Sequence, residues 1–150
     1  MPIFRKIIEK DIAQVAALEK KTFSDAWSEA SIRETYGQSQ AFITVAEVDG
    51  TFAGYCIVYY VMDEAEIARI AVDESFRRQG IGQGLLSYTF SCCEEKQIER
   101  VLLDVRESNV SARAFYQKQG FLEDGIRKDF YDGPKEHAVL MSRSISNLFH

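Results

Sequence analysis

The run Phe76-Arg77-Arg78-Gln79-Gly80-Ile81-Gly82-Gln83-Gly84-Leu85-Leu86 is the part of the chain whose residue types point most directly to chemistry. It follows a β-rich segment and opens a helical one. The first amide groups of a helix have no internal partner, and the helix dipole favours an anion at that end. Glycine at 80 and 82 carries no Cβ, so phosphate oxygens can come close to the backbone. Arg77 and Arg78 add positive charge in a chain whose net charge is -5. The plainer reading is a glycine-rich turn with no ligand, but three glycines between Gly80 and Gly84 cost conformational entropy. A dinucleotide-binding G-x-G-x-x-G does not fit, because the third glycine comes one residue early. A nucleotide P-loop lacks its Gly-Lys-Ser/Thr.

The elements that must position this turn are legible from periodicity. Phe4 to Ile8 predicts a short strand. Asp11 is a candidate cap for a helix carrying Ile12, Val15, Ala16 and Leu18. Trp27-Ser28 opens a second helical piece, with Ser28 as its candidate cap, and Gly37 ends it after Tyr36. Strands follow at Ala41 to Val48 and Phe52 to Val61, joined by the turn Asp49-Gly50, and then at Glu64 to Val72. The glycine turn leads into a helix ending near Lys96, with Leu85, Leu86, Thr89 and Cys93 among its apolar positions. Arg100 to Arg106 predicts a strand. Ser108 or Asn109 caps a helix that stops at Gly120, and two strands, Phe121 to Phe130 and His137 to Ser144, flank the turn Asp132-Gly133-Pro134. The order β-α-α-β-β-β-α-β-α-β-β implies one α/β (α+β) domain with a mixed sheet and helices on its faces.

Composition narrows the function. A chain of 150 residues, 46% hydrophobic and 12% aromatic, can bury a real core. The negative charge gives no basic footprint for nucleic acid. No apolar run reaches the ~18 residues of a membrane span, and the N-terminal MPIFRKIIEKD lacks a signal-peptide core. Cys56, Cys92 and Cys93 match neither a zinc spacing nor a disulfide framework, so no metal is expected and a reducing cytoplasm suits the chain. The polar end after Ile145 reads as a frayed tail.

Arg77-x-x-Gly80-x-Gly82 resembles the Q/R-x-x-G-x-G/A signature of the GNAT acetyltransferase superfamily. The stretches IARIAVDESFRRQGIGQGLL, LLDVRESNVSARAFYQKQGF and RKDFYDG together resemble the bacterial ribosomal-protein alanine N-acetyltransferases, and FSDAWSEASI is similar to their substrate-side segment. The likeness runs from about Ile8 to Ile145. It implies a GNAT fold: a mostly antiparallel, twisted sheet of about seven strands with about four helices. It implies acetyl-CoA as cofactor, with Ile70, Ala71 and Val72 offering backbone groups to the pantetheine arm. The turn Arg77, Arg78, Gln79, Gly80, Ile81, Gly82 and Gln83 would hold the pyrophosphate, and Asn109 would lie beside the cofactor. The sheet would splay between the strand of Val72 and that of Asp104.

The resemblance also assigns the reacting groups. An amine attacks the thioester carbonyl, so an ammonium must lose a proton and a thiolate gains from receiving one. Tyr116, two helical turns after Asn109, is the implied proton donor; core packing beside Phe115 is its other reading. Asp104 takes the position of a glutamate base in those relatives and is shorter by one methylene, about 1.3–1.5 Å of reach. Pairing with Arg106 on the same strand face is an equal alternative for it. Glu64, Glu66 and Glu107 are candidate substitutes. Trp27, Tyr36, Phe130 and Tyr131 are candidates to line a peptide groove, with ordinary hairpin packing the alternative for the last pair. His137 reads as structural. A peptide α-amine, with pKa about 7.7–8, tolerates a weak base far better than a lysine at about 10.4. The expected activity is therefore acetyl transfer to a primary amine, foremost the N-terminal alanine of a ribosomal protein. Acetylation of a small amine and non-catalytic acyl-CoA binding are the alternatives. A monomer or weak dimer is expected.

Overall fold

The computed structural model describes residues 1–145; the tail expected beyond Ile145 lies outside the described residues. In chain order the elements are β1 (Pro2–Lys6), α1 (Ile12–Thr22), α2 (Glu29–Tyr36), β2 (Ala41–Val48), β3 (Thr51–Val61), β4 (Glu64–Val72), α3 (Ile81–Glu95), β5 (Arg100–Arg106), α4 (Val110–Lys118), β6 (Leu122–Tyr131) and β7 (Glu136–Ser144). They form one seven-stranded sheet in the order β1-β2-β3-β4-β5-β7-β6. Every adjacent pair is antiparallel except β4 and β5.

Each face of the sheet has its own core. Ile81, Leu85, Leu86, Phe90 and Cys93 of α3 pack with Ala65, Ile67, Val101 and Leu103 on one face, and Phe115 and Tyr116 of α4 close its edge. Ile12, Val15 and Leu18 of α1 and Ile32 of α2 cover Val45, Tyr55, Ile57 and Ala71 on the other. The alternation of the strands divides residues between these faces. The three cysteines are buried, free thiols, as packing residues should be.

The sheet opens at β4. Against β3, Ile57 stands opposite Arg69 while Val58 stands opposite Ile67, which leaves Ala68 as the extra residue of a β-bulge. Against β5 the parallel ladder holds only at Glu64, Ala65 and Glu66, opposite Arg100, Val101 and Leu102. Beyond that point β4 stays with β3 and β5 stays with β7. The expected splay between Val72's strand and Asp104's strand is therefore present, and the bulge sits where it begins.

A buried polar network braces the opening. Glu19 of α1, fully buried, accepts hydrogen bonds from the Tyr55 hydroxyl, from Arg69 Nε at 2.8 Å and from the Trp27 amide at 2.9 Å. Arg69 also donates to the carbonyl and carboxylate of Asp25, at 2.8 and 3.0 Å, and lies 4.2 Å over the Phe23 ring. A buried carboxylate is tolerable only with such partners. The network ties the connection between α1 and α2 to the bulged strand.

Several boundaries differ from the sequence expectation. β1 covers Pro2–Lys6 rather than Phe4 to Ile8, and the chain enters a short 3-10 helix at Glu9. Asp11 does not cap α1. Its carboxylate turns back to the Ile8 amide at 2.8 Å and to both terminal nitrogens of Arg5, at 2.8 and 3.0 Å. A two-toothed charged pair is stronger than one cap bond. Phe121 lies before β6, not in it, and plugs the core between Phe90 and Tyr116 at ring distances of 6.0 and 5.6 Å. Trp27 precedes α2, whose cap is Ser28, accepting from the Ser31 amide at 3.1 Å as expected.

Gly84 is a packing glycine. A Cβ there would stand 2.2 Å from Phe4 of β1. Gly84→Ala is expected to lower stability by about 1–3 kcal/mol, the range for overpacking, measured by urea denaturation. An unchanged midpoint would show that Phe4 moves aside freely.

Candidate active site

The parting of β4 from β5 creates a cleft of about 520 Å³ that passes between the two faces of the sheet. Ile70, Ala71 and Val72 line one side; Leu103, Asp104 and Arg106 line the other; Asn109, Tyr116 and Tyr131 close its ends. Beyond Glu66, the edge of β4 facing β5 carries backbone groups with no strand partner. Such groups need partners, and an extended amide-bearing arm would supply them.

On the α3 side the cleft meets a second one of about 450 Å³. Its lining includes Arg77, Arg78, Gly80, Ile81, Gly82 and Gln83; Gln79, expected with them, is not among the lining residues. Unlike α2 and α4, α3 has no side-chain cap: its N-cap is Gly80, in the left-handed region at φ 76°, and its first turn holds no acidic residue. Ile81 buries its side chain in the core, and its amide belongs to the helix's first turn, whose amides have no internal partner. Arg77 and Arg78 are exposed at the rim, and Arg77 Nε donates to the Val72 carbonyl at 3.3 Å. Free amides, a helix dipole and two guanidinium groups converge here, an arrangement that suits a pyrophosphate. The glycines have separate tasks. Gly80 permits the backbone conformation, whereas a Cβ at Gly82 would press on Phe115 at 3.3 Å.

Tyr116 lines both clefts. Its ring packs edge-on against Phe115 and Phe121 at 5.4 and 5.6 Å. The core-packing and slot-facing readings thus hold together. Burial raises the phenol's pKa well above its ordinary value, so it stays protonated. Asn109 borders the central cleft, but its side-chain oxygen accepts from the Ala112 amide at 3.2 Å and caps α4.

Asp104 also lines the central cleft, and its proposed pairing with Arg106 is not formed. Arg106 instead donates to the carbonyls of Asp132 and Pro134 at 2.9 and 3.0 Å, meets Glu136 at 3.3 Å and lies 4.5 Å over the Tyr131 ring. Burial pushes the Asp104 carboxyl above the usual carboxylate range, with Arg127 opposing. Tyr131, at the same end, is pushed up to about 12 by burial and then by Asp104.

Asp104 also lines a groove of about 760 Å³ between the β3–β4 hairpin end on one side and β5, β7 and β6 on the other. Glu64 and Glu66 line it, with Glu64 3.4 Å from Arg100. The aromatic candidates divide. Tyr131 reaches the cleft; Phe130 is exposed and stacks edge-on with Tyr131 at 4.9 Å. Trp27 packs near Tyr59, at 6.4 Å, and Tyr36 is exposed at the end of α2; neither lines the cleft or the groove. Glu107 is likewise outside both. His137 Nδ1 accepts from the Asp129 amide at 2.9 Å, a structural role in the hairpin. Sequence reading passed over Arg69, Glu19 and Arg127. An arginine inside the apolar run IARIAV was the available signal for the first. Among the described residues no cluster of His, Cys, Asp and Glu could hold a metal, and no helix is long and apolar enough to cross a membrane.

Comparison with known proteins agrees with this geometry. The model of the acetyltransferase (GNAT) family matches residues 12–121, and the chain belongs to that family. It is therefore an N-acetyltransferase that uses acetyl-CoA. A candidate ribosomal protein bS18-alanine N-acetyltransferase of Bacillus subtilis is 37% identical over 133 residues, covering 88% of each chain. The ribosomal protein bS18-alanine N-acetyltransferase of Escherichia coli K12 is 32% identical over 139 residues, 91% of this chain and 93% of that one. The crystal structure of the ribosomal-protein-S18-alanine N-acetyltransferase from E. coli superposes with a TM-score of 0.88 at 29% identity, covering all of both chains. Ard1 from Thermoplasma volcanium gives a TM-score of 0.87 at 29% identity, over 96% of this chain and 97% of that one.

Gly80→Ala forces a side chain into φ 76° and should weaken coenzyme A binding about tenfold, for a backbone cost of roughly 1–2 kcal/mol. Gly84→Ala should leave the affinity within twofold of the parent. Isothermal titration with coenzyme A checks both.

Proposed function

We propose that the chain transfers the acetyl group of acetyl-CoA to the N-terminal alanine of ribosomal protein bS18, by direct attack without a covalent enzyme intermediate. The observation that carries this reading is that Tyr116 and Asp104 line one cleft, with the α3 helix start at one mouth and an open groove at the other. The relatives whose names specify this acceptor match along almost the whole chain. The three free thiols suit a reducing cytoplasm.

In this proposal the backbone of Ile70, Ala71 and Val72 pairs with the pantetheine amides, and the amides of Ile81, Gly82 and Gln83, with Arg77 and Arg78, meet the pyrophosphate. Tyr131 borders the acceptor. Asp104 takes a proton from the ammonium, and the freed amine attacks the thioester carbon. The Tyr116 hydroxyl donates to the departing sulfur. Full transfer from a phenol to a thiolate is uphill, since a thiol has the lower pKa, about 8.5; a hydrogen bond that strengthens as charge develops still lowers the barrier. About a tenth or more of α-amines are neutral near pH 7, against well under a thousandth of lysine side chains. A short carboxylate can serve the first and not the second.

Tyr116→Phe should lower kcat about 100-fold with coenzyme A affinity unchanged; full turnover would remove Tyr116 from the chemistry. In a screen of peptides with varied first residues, the bS18 N-terminus starting with alanine should be acetylated fastest. Preference for spermidine or a lysine side chain would overturn the acceptor assignment.

A further inference from the structure

We infer that Arg69 of β4 selects the acceptor: its free guanidinium nitrogen, Nη1, takes the carbonyl oxygen of the acceptor's first residue and so tells a peptide N-terminus from a plain amine. The inference rests on the acetyl-transfer reading of the cleft and adds to it the group that reads the acceptor. Residues two apart on a regular strand share a face. Ile67 and Arg69 do not. Ile67, opposite Val58, packs in the core under α3, whereas Arg69, opposite Ile57, stands on the face that α1 covers. The bulge at Ala68 makes this change of face. An arginine that regular pleating would send under α3 is thereby brought into the central cleft, which it lines together with Asp104 and Tyr131.

The guanidinium is held in place by the protein itself. Nε donates to Glu19 at 2.8 Å, and Nη2 donates to the carbonyl and the carboxylate of Asp25 at 2.8 and 3.0 Å. The Phe23 ring lies 4.2 Å from its centre and the Trp27 ring 5.9 Å. Glu19 is fixed in turn by the Tyr55 hydroxyl and the Trp27 amide. Nη1 has no partner among the described residues. Among those residues no buried side-chain nitrogen or oxygen lacks a partner, so Nη1 is open to solvent, and the cleft is the cavity that Arg69 lines. The N–H groups of Nη1 thus remain for a ligand. They are already oriented, so little freedom is lost when they bind.

A cationic N–H group calls for an oxygen acceptor. In a peptide N-terminus the first carbonyl is bonded to the carbon that carries the reacting amine. A lysine side chain or spermidine has only methylenes there. The positive charge of Arg69 does not expel the ammonium, because Glu19 and Asp25 both pair with it and set two carboxylates against one guanidinium. Asp104, in the same cleft, disfavours the free carboxylate of an amino acid and leaves the neutral carbonyl of a peptide. Burial and then Asp104 raise the Tyr131 pKa, and Arg69 is among the charges that lower it. Arg69 therefore stands within electrostatic reach of the tyrosine that closes this end of the cleft.

Two alanine-starting peptides that differ only in the first carbonyl, oxygen in one and sulfur in the other, test the contact, since a thiocarbonyl is the weaker hydrogen-bond acceptor. The parent protein should favour the oxygen peptide about tenfold in kcat/KM, the low end for a hydrogen bond to a charged group. Arg69→Lys should raise KM for the oxygen peptide about tenfold on the same ground. It should also bring the two peptides within about twofold of each other, because the contact that tells them apart is gone. Glu19→Gln combined with Arg69→Met removes both charges of the buried pair and gives the same readings if the lysine variant does not fold. A preference for the oxygen peptide that survives the substitution, even with a raised KM, confines Arg69 to bracing and overturns the inference while acetyl transfer stands. Faster acetylation of free alanine than of the peptide overturns it as well. A parent protein that binds coenzyme A but acetylates no peptide overturns the transfer reading and the role of Arg69 with it.

Discussion

The rest of the structure depends on the failure of β4 and β5 to stay paired. Two neighbouring strands in a sheet normally satisfy each other's backbone groups. Here the ladder stops after Glu66 and Leu102, at a bulge centred on Ala68. The unpaired backbone that results would be costly if it were sealed in protein. It is instead exposed to a cleft, where the proposed occupant would bring amides of its own. The bulge is affordable because β3 and β7 hold the parted strands and because Glu19, Arg69 and Tyr55 lock the adjoining connection.

The cleft is electrically asymmetric. At one mouth, the uncapped start of α3 and the guanidinium groups of Arg77 and Arg78 present positive charge. Along the groove at the other, Glu66 and Asp104 present negative charge, tempered by Arg127. In the reaction we propose, an anionic carrier and a cationic acceptor are drawn to opposite ends, and the reacting atoms meet between Tyr116 and Asp104. Burial keeps Tyr116 protonated and makes Asp104 a stronger base than an exposed aspartate.

Much of this was legible in the sequence because the signals are local. Glycines at 80 and 82 mark an open turn into a helix, Ser28 and Asn109 mark helix starts, and alternation marks the strands. What escaped was set by tertiary partners. Asp11 looked like a cap and became the partner of Arg5. Phe121 looked like strand and became a core plug. The pairing of Asp104 with Arg106 was reasonable by spacing, but the hairpin carbonyls offered Arg106 better partners. Trp27 has the composition of a groove residue, yet its position is fixed by Glu19, which no local pattern connects to it. The packing tasks of Gly82 and Gly84 were equally hidden, since they depend on Phe115 and Phe4 from distant elements.

We propose that donor and acceptor enter the parted strands from opposite faces and meet at Tyr116 and Asp104. A crystal structure with a bisubstrate analogue, coenzyme A joined through its sulfur to the amine of an alanine-starting peptide, measures this directly. The sulfur is expected within hydrogen-bonding distance of the Tyr116 hydroxyl, the pantetheine amides on Ile70–Val72, and the peptide leaving past Asp104 and Glu66. A peptide that leaves on the α3 side, or a sulfur remote from Tyr116, would contradict it.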